Sequence, residues 1–192
     1  MILRELRTAA LLLLAMTLGL GLLYPAVITG ISRIAFPTQA GGSLLYRDGR
    51  LIGSRLIGQS FTGPGYFWGR PSATTPQPNN GIASNGSNLG PLNPALIDQV
   101  RANVKQLRDA DPGNAVRVPV DLATASASGL DPEISPAGAL FQVRRVAAAR
   151  GVPPARLEAL IAAHTRPALF GFVGERRVNV LELNLALDAM RD

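Results

Sequence analysis

From Thr8 to Ser32 the chain runs twenty-five residues without a charged side chain: TAALLLLAMTLGLGLLYPAVITGIS. As a helix rising about 1.5 Å per residue it reaches roughly 37 Å, enough to cross a hydrocarbon layer of about 30 Å. Its eleven Leu, Ile and Val residues, at about −0.3 to −0.6 kcal/mol each near the bilayer centre, contribute roughly −3 to −7 kcal/mol to insertion. This stretch reads as a single transmembrane helix over about residues 8–32, within an anchor of residues 1–33. A cleaved signal peptide is the competing reading, because MILRELR has a basic character and precedes an apolar run. The run is too long for it, since a signal h-region has about 7–15 residues.

Arg4, Arg7 and the amino terminus favour a cytoplasmic start, while Arg33, Arg47 and Arg50 on the far side weaken the contrast. A lone amino-terminal anchor with a short basic leader exports the remainder of its chain. Residues 34–192 are therefore expected to form an extracytoplasmic soluble domain.

Several chemistries are excluded by residue counts. The chain has no cysteine, one histidine (His164) and one lysine (Lys105). Thiolate sites, cysteine nucleophiles, a multi-histidine metal centre and a phosphate-binding loop with its glycine-lysine pair all need residues that are missing. The net charge of +6 is spread along the chain, without the continuous basic stripe of a nucleic-acid binder.

The exported portion reads as a mixed α+β domain with a β-hairpin, several helices and long ordered loops. SLLYRDGRLIGSRLIG, residues 43–58, places two apolar segments around Asp48-Gly49, a hairpin signal because that pair accepts positive φ. From Phe61 to Pro94 lies a tract of Gly, Pro, Asn, Ser and Thr with few aliphatics; loops this long tend to be functional. It opens on Tyr66, Phe67 and Trp68, the last being the only tryptophan, set among Gly63, Pro64, Gly65, Gly69 and Pro71. Three adjacent rings in an irregular segment cannot easily all point inward. One or two are expected to pin the loop to the core, and at least one, beside Arg70, to face a partner. Asn85-Gly86-Ser87 matches a glycosylation acceptor by chance.

Asn93 and Pro94 start a helix that DADPG stops. Val116, Val118 and Val120 alternate as a short edge strand. Asp121 to Pro136 is a second polar loop, and Ser135-Pro136 opens a helix that reaches Gly151. A further helix comes after Pro153-Pro154, a strand is expected over Phe170 to Val173, and a last helix begins at Asn179.

Candidate chemistry is sparse. GQSFTG, residues 58–63, matches a nucleophile elbow only until Thr62, where the second glycine should stand. A membrane-anchored hydrolase would then rest on His164 alone, which comes after Leu160 and Ile161 as a structural histidine would. Asp121, Asp131 and Glu133 could frame a cation or an acid/base pair, but a turn cap at Asp131 and a strand end at Asp121 are the favoured readings.

The span near the amino terminus, with GQSFTGPGYFWGRPSA, GSNLGPLNP, VPVDLATASASGLDPEISP, QVRRVAAARGV and ERRVNVLELNLALD after it, resembles the C subunit of the Kdp-type potassium-transporting ATPase, over nearly the whole chain. The resemblance implies a bacterial inner-membrane protein assembled with a channel-like potassium-translocating A subunit, a P-type ATPase B subunit and a small F subunit. That complex hydrolyses ATP to drive potassium inward, and its C subunit is described as a catalytic chaperone that raises the B subunit's affinity for ATP. An extracytoplasmic domain could not touch nucleotide held inside, so coupling would pass through the anchor and the partners.

By resemblance, Phe67, Trp68, Arg70, Pro71, Asn88, Asn93 and Asn179 are candidates for partner contact or fold definition, with Tyr66 beside them. Asp121, Ser128, Gly129 and Asp131 share that candidacy and are also the candidates for direct contact with ATP, should the domain be cytoplasmic. Glu133 stands where the family usually carries histidine, and Ala127 where glycine is common, which weakens an imidazole role and an anion nest there.

Overall fold

The structure is a computed structural model and describes residues 2–190. The chain divides into two compact units, the first ending at Ile52 and the second beginning at Gly53.

The first unit is led by one continuous helix, Ile2–Ala35, long and apolar enough to cross a membrane. It comprises α1 (Ile2–Met16), a π-helical stretch (Thr17–Leu23) and α2 (Tyr24–Ala35). The widening has a local cause. In a regular helix the Pro25 ring would press on the carbonyl four residues back, at Gly21. The chain relaxes just before it, and the Tyr24 N–H reaches back five residues to Gly19 O. After α3 (Pro37–Ala40) comes the expected hairpin, β1 (Leu44–Arg47) with β2 (Arg50–Ser54). Its turn residues Asp48 and Gly49 have φ of 51° and 74°, as a two-residue hairpin of this hand requires.

The second unit contains α4 (Pro94–Ala110), α5 (Val120–Ala123), β3 (Glu133–Ile134), α6 (Pro136–Phe141), α7 (Val143–Arg150), α8 (Pro154–His164), β4 (Thr165–Arg166), β5 (Arg177–Asn179) and α9 (Val180–Ala189). The three short strands form an antiparallel sheet in the order β3-β5-β4, with Ile134 and Thr165 both opposite Val178. Val178 is enclosed there with Leu157, Ile161, Leu183, Leu187 and Val146, each buried aliphatic contributing roughly 1.5–3 kcal/mol. The α+β class and the amino-terminal apolar helix are as expected.

Helix starts were legible. Asn93 accepts from the Ala95 N–H, Ser135 from the Gly138 N–H and Asn179 from the Glu182 N–H, each at 2.9–3.0 Å. Gly151 ends α7 at φ 66°.

Three expectations are corrected. Val116 to Val120 is not a strand: Arg108 donates to Asn114 O and Val116 O, and Asn114 Oδ1 takes the Val116 N–H. Side chains thus use the groups a neighbouring strand would have needed, and Pro119 becomes the N-cap of α5. Phe170 to Val173 is a turn rather than a strand, closed by a single bridge between Leu169 and Val173. The helix from Pro136 is broken at Gln142 (φ −91°, ψ −9°). Its side-chain amide takes Gly138 O, so its own N–H shifts to Ala139 O. Asn114 Nδ2 to Phe141 O and Arg144 Nε to Asp111 Oδ1, both 2.9 Å, then tie the end of α4 to this helical pair.

Candidate functional site

The aromatic triplet is held by two side-chain amides, one on α9 and one at the break between α6 and α7. Asn184 on α9 accepts the Phe67 N–H through Oδ1 and donates from Nδ2 to Phe67 O, both at 2.9 Å. Gln142 does the same for the next residue, accepting the Trp68 N–H at 2.7 Å and donating to Trp68 O at 3.1 Å. A loop backbone without a partner strand thus acquires ladder-like bonding, which buried peptide groups require. Phe67 is 0% exposed and belongs to the core. It offers no surface to a partner in this conformation.

Two arginines of α7 close the assembly from above. Arg145, 7% exposed, lies 4.2 Å over the Trp68 ring and donates to Pro64 O at 2.6 Å, Tyr66 O at 3.0 Å and Gln142 Oε1 at 2.7 Å. Burial pushes its guanidinium down to about 10, against the opposing pull of Asp111, so it remains a cation at neutral pH. Arg150 lies 4.6 Å over the Tyr66 ring, donates to Gly65 O at 2.7 Å and pairs with Asp188 at 2.8 Å. Tyr66 and Trp68 are half-buried, with Trp68 Nε1 donating to Gly63 O at 2.9 Å. Phe67 is enclosed, while Tyr66 and Trp68 each keep part of their surface, Trp68 in the wall of a cleft.

Arg70 and Asp131 form the second focus. Arg70 Nη1 meets Asp131 Oδ2 at 3.0 Å, while Asp131 Oδ1 accepts the Glu133 N–H at 3.0 Å. Asp121 Oδ2 accepts the Ser135 N–H at 2.7 Å, and Glu133 pairs with Arg177 at 2.9 Å. Arg70, Asp121, Asp131, Glu133, Arg176 and Arg177 line an open groove of about 210 Å³. Among the described residues no three acidic or imidazole groups are placed to hold a metal ion. Arg70 also borders a cleft of about 270 Å³, lined by polar groups such as Gln59, Ser60, Thr62 and Asn103 and by apolar ones such as Phe61, Trp68 and Leu122.

Ser128 and Gly129 act as a seam for the long loop. Ser128 O accepts the Asn85 N–H and the Ser84 hydroxyl, both at 3.0 Å, and Gly129 O accepts Ser72 Oγ at 2.7 Å. Ser128 Oγ accepts the Leu130 N–H at 3.1 Å. Asn88 donates to Asn85 Oδ1 within the same loop (3.3 Å), Pro71 O accepts the Ser126 N–H at 3.2 Å, and Asn179 Nδ2 donates to Arg55 O at 2.8 Å. His164 Nδ1 donates to Leu160 O at 2.9 Å, and Ser60 Oγ accepts from Asn79 at 3.1 Å. No bond joins that serine and histidine among the described residues.

Gln142, Asn184, Arg145 and Arg150 belong to the site although no sequence motif singles them out. The two amides carried a signal: ALFQV and ELNLALD each place one within a mostly apolar run, where a polar residue needs a buried partner.

Fold and site together define a small α+β domain carried behind a membrane-length helix, its polar loops closed on themselves. The family described as K+-transporting ATPase, c chain, matches residues 6–189. A protein of Polaromonas naphthalenivorans called "Potassium-transporting ATPase KdpC subunit" is 58% identical over 186 residues, 97% of this chain and 95% of its own length. Proteins of the same name from Variovorax paradoxus and Methylibium petroleiphilum are 61% identical (94% of each chain) and 60% identical (97% of each chain). The chain belongs to the KdpC family.

Proposed function

We propose that the chain is a non-catalytic accessory subunit of an ATP-driven potassium uptake complex in the bacterial inner membrane. It is anchored once by the helix Ile2–Ala35, with its amino terminus cytoplasmic and its domain outside. There it stabilises assembly of the potassium-translocating A and P-type ATPase B subunits, with the small F subunit, and modulates them. Potassium is the ion the complex moves, and ATP is handled by the ATPase subunit. The name shared by the relatives supports membership of such a complex.

The observation that carries the non-catalytic part is the state of the polar candidates. Asp121, Asp131 and Ser128 each hold backbone or arginine partners inside the domain, and Gly129 is covered by a neighbouring chain segment. A nucleotide-binding chaperone role is the second reading, favoured by Arg70, Arg176 and Arg177 around one groove. Electrostatics oppose it, because Asp121, Asp131, Glu133 and Glu175 line the same groove, four carboxylates against three guanidiniums.

Labelled ATP is expected to show no saturable binding to the reconstituted chain alone. The D131N and D121N variants should leave the ATP affinity of the whole complex unchanged. Saturable binding that D131N abolishes would establish the nucleotide reading instead, and protease protection of the carboxy terminus in intact cells would reopen it. Trp68→Ala is expected to weaken assembly by about 2 kcal/mol or more, seen as lost co-purification with the potassium-translocating subunit. A urea titration of the same variant separates that loss from simple unfolding.

A further inference from the structure

The exposed apolar residues of the second unit mostly stand apart in sequence, such as Ile82, Leu92 and Val116. The exception is the turn that joins β4 to β5. Leu169, Phe170, Phe172 and Val173 fall within five residues, and the two phenylalanines are 81% and 80% exposed. The turn is rigid in kind. Phe170 and Gly171 hold φ of 54° and 83°, and Leu169 and Val173 exchange both backbone bonds at 2.9 Å. Gly171 N–H donates to Ala168 O at 3.0 Å and Phe172 N–H to Leu169 O at 3.3 Å. The tip thus shows apolar side chains outward while most of its peptide groups are satisfied within it. That combination suits the lipid interface, where apolar rings can insert while tip carbonyls without a bond in the turn still reach water.

We propose that the Leu169–Val173 turn enters the lipid interface of a bilayer. The chain itself places lipid within reach. Residues 36–52 separate the membrane-length helix from the second unit and can span no more than about 60 Å even if fully stretched, so the domain meets the bilayer at high effective concentration. The base of the turn carries a collar of charges of both signs. Arg166 and Arg177 sit opposite each other in the sheet, paired with Glu182 at 2.7 Å and Glu133 at 2.9 Å, and Arg176 is exposed beside them. With Arg55 on Glu182 and with Glu175, four cations face three anions. One net positive charge gives little pull toward acidic headgroups, so apolar insertion drives the contact. A convex tip needs no matching cavity in a fluid phase, whereas a partner protein would need a groove shaped for both rings.

The absence of cysteine from the chain makes the test direct. Phe172→Cys in the full chain gives a unique thiol for an environment-sensitive fluorophore, with Ile82→Cys, at a site 98% exposed, as reference. In phosphatidylcholine nanodiscs the Phe172 probe is expected to emit to the blue, to be quenched several-fold more strongly by lipids spin-labelled near the headgroup, and to be shielded from iodide. Adding Phe170→Asn, an exchange the left-handed backbone tolerates, should lower that lipid quenching. Equal quenching with and without Phe170→Asn would show that the dye drives the contact and overturn the proposal. So would a probe open to iodide both in the lone chain and in the assembled complex. Shielding that appears only on assembly, without lipid quenching, would assign the turn to a partner protein. Quenching that needs phosphatidylglycerol would replace apolar insertion with headgroup attraction.

Discussion

Asn184→Leu is expected to destabilise the domain by about 2–6 kcal/mol, because it leaves two buried groups, the Phe67 N–H and C=O, without partners at about 1–3 kcal/mol each. Leucine fills nearly the same space, so the loss reports the bonding and not a cavity. Phe67 itself is fully enclosed, and its backbone takes both of these bonds from the one Asn184 amide. The loop opening at Phe61 should then become open to proteases while α4 and α8 remain folded. A urea midpoint and limited proteolysis of the full chain check both parts. A midpoint equal to that of the native chain would show that the two amide bonds hold nothing.

This dependence on remote side chains explains which features are legible in the chain alone. Caps and turns are local: Asn93-Pro94, Ser135-Pro136, Asn179 and Asp48-Gly49 meet their partners within a few residues, and each stands where it was expected. The strands β3, β4 and β5 have only two or three residues each, too few for alternation to register. Val116 to Val120 showed that alternation and is not a strand, because Arg108 and Asn114 satisfy its backbone first. At the aromatic site the anchoring role of the rings was legible from composition. Their partners were not, since Gln142 and Asn184 lie 74 and 117 residues further along the chain. Spacing also suggested that one ring would face outward. Tyr66 and Trp68 do stay partly exposed, but Arg145 and Arg150 lie over a face of Trp68 and Tyr66, and a cation over a ring is invisible in a linear pattern.

Gly129→Ala is the second large effect, and it also separates the two functional readings. The residue has φ of 68°, and a Cβ there would lie 2.5 Å from Thr74 Cγ2 and 2.6 Å from Asn85 O. A non-glycine residue in this backbone region costs about 1–2 kcal/mol by itself. The second contact is with backbone, so the seam between residues 72–85 and 126–130 has to part before the methyl group fits. Parting it strains the Asn85 N–H bond to Ser128 O and the Ser72 Oγ bond to Gly129 O, each worth about 0.5–1.5 kcal/mol. The expected loss is about 2–5 kcal/mol in a urea titration, by addition of these costs. Gly90→Ala, where a Cβ meets nothing within 4 Å, should leave the midpoint almost unmoved. If Gly129 instead cradled phosphate, Gly129→Ala would weaken the ATP affinity of the complex while leaving the fold as stable as before. The close approach of Asn85 O argues for the reverse: a glycine kept small by its own chain, whose replacement unfastens the long loop whether or not nucleotide is present.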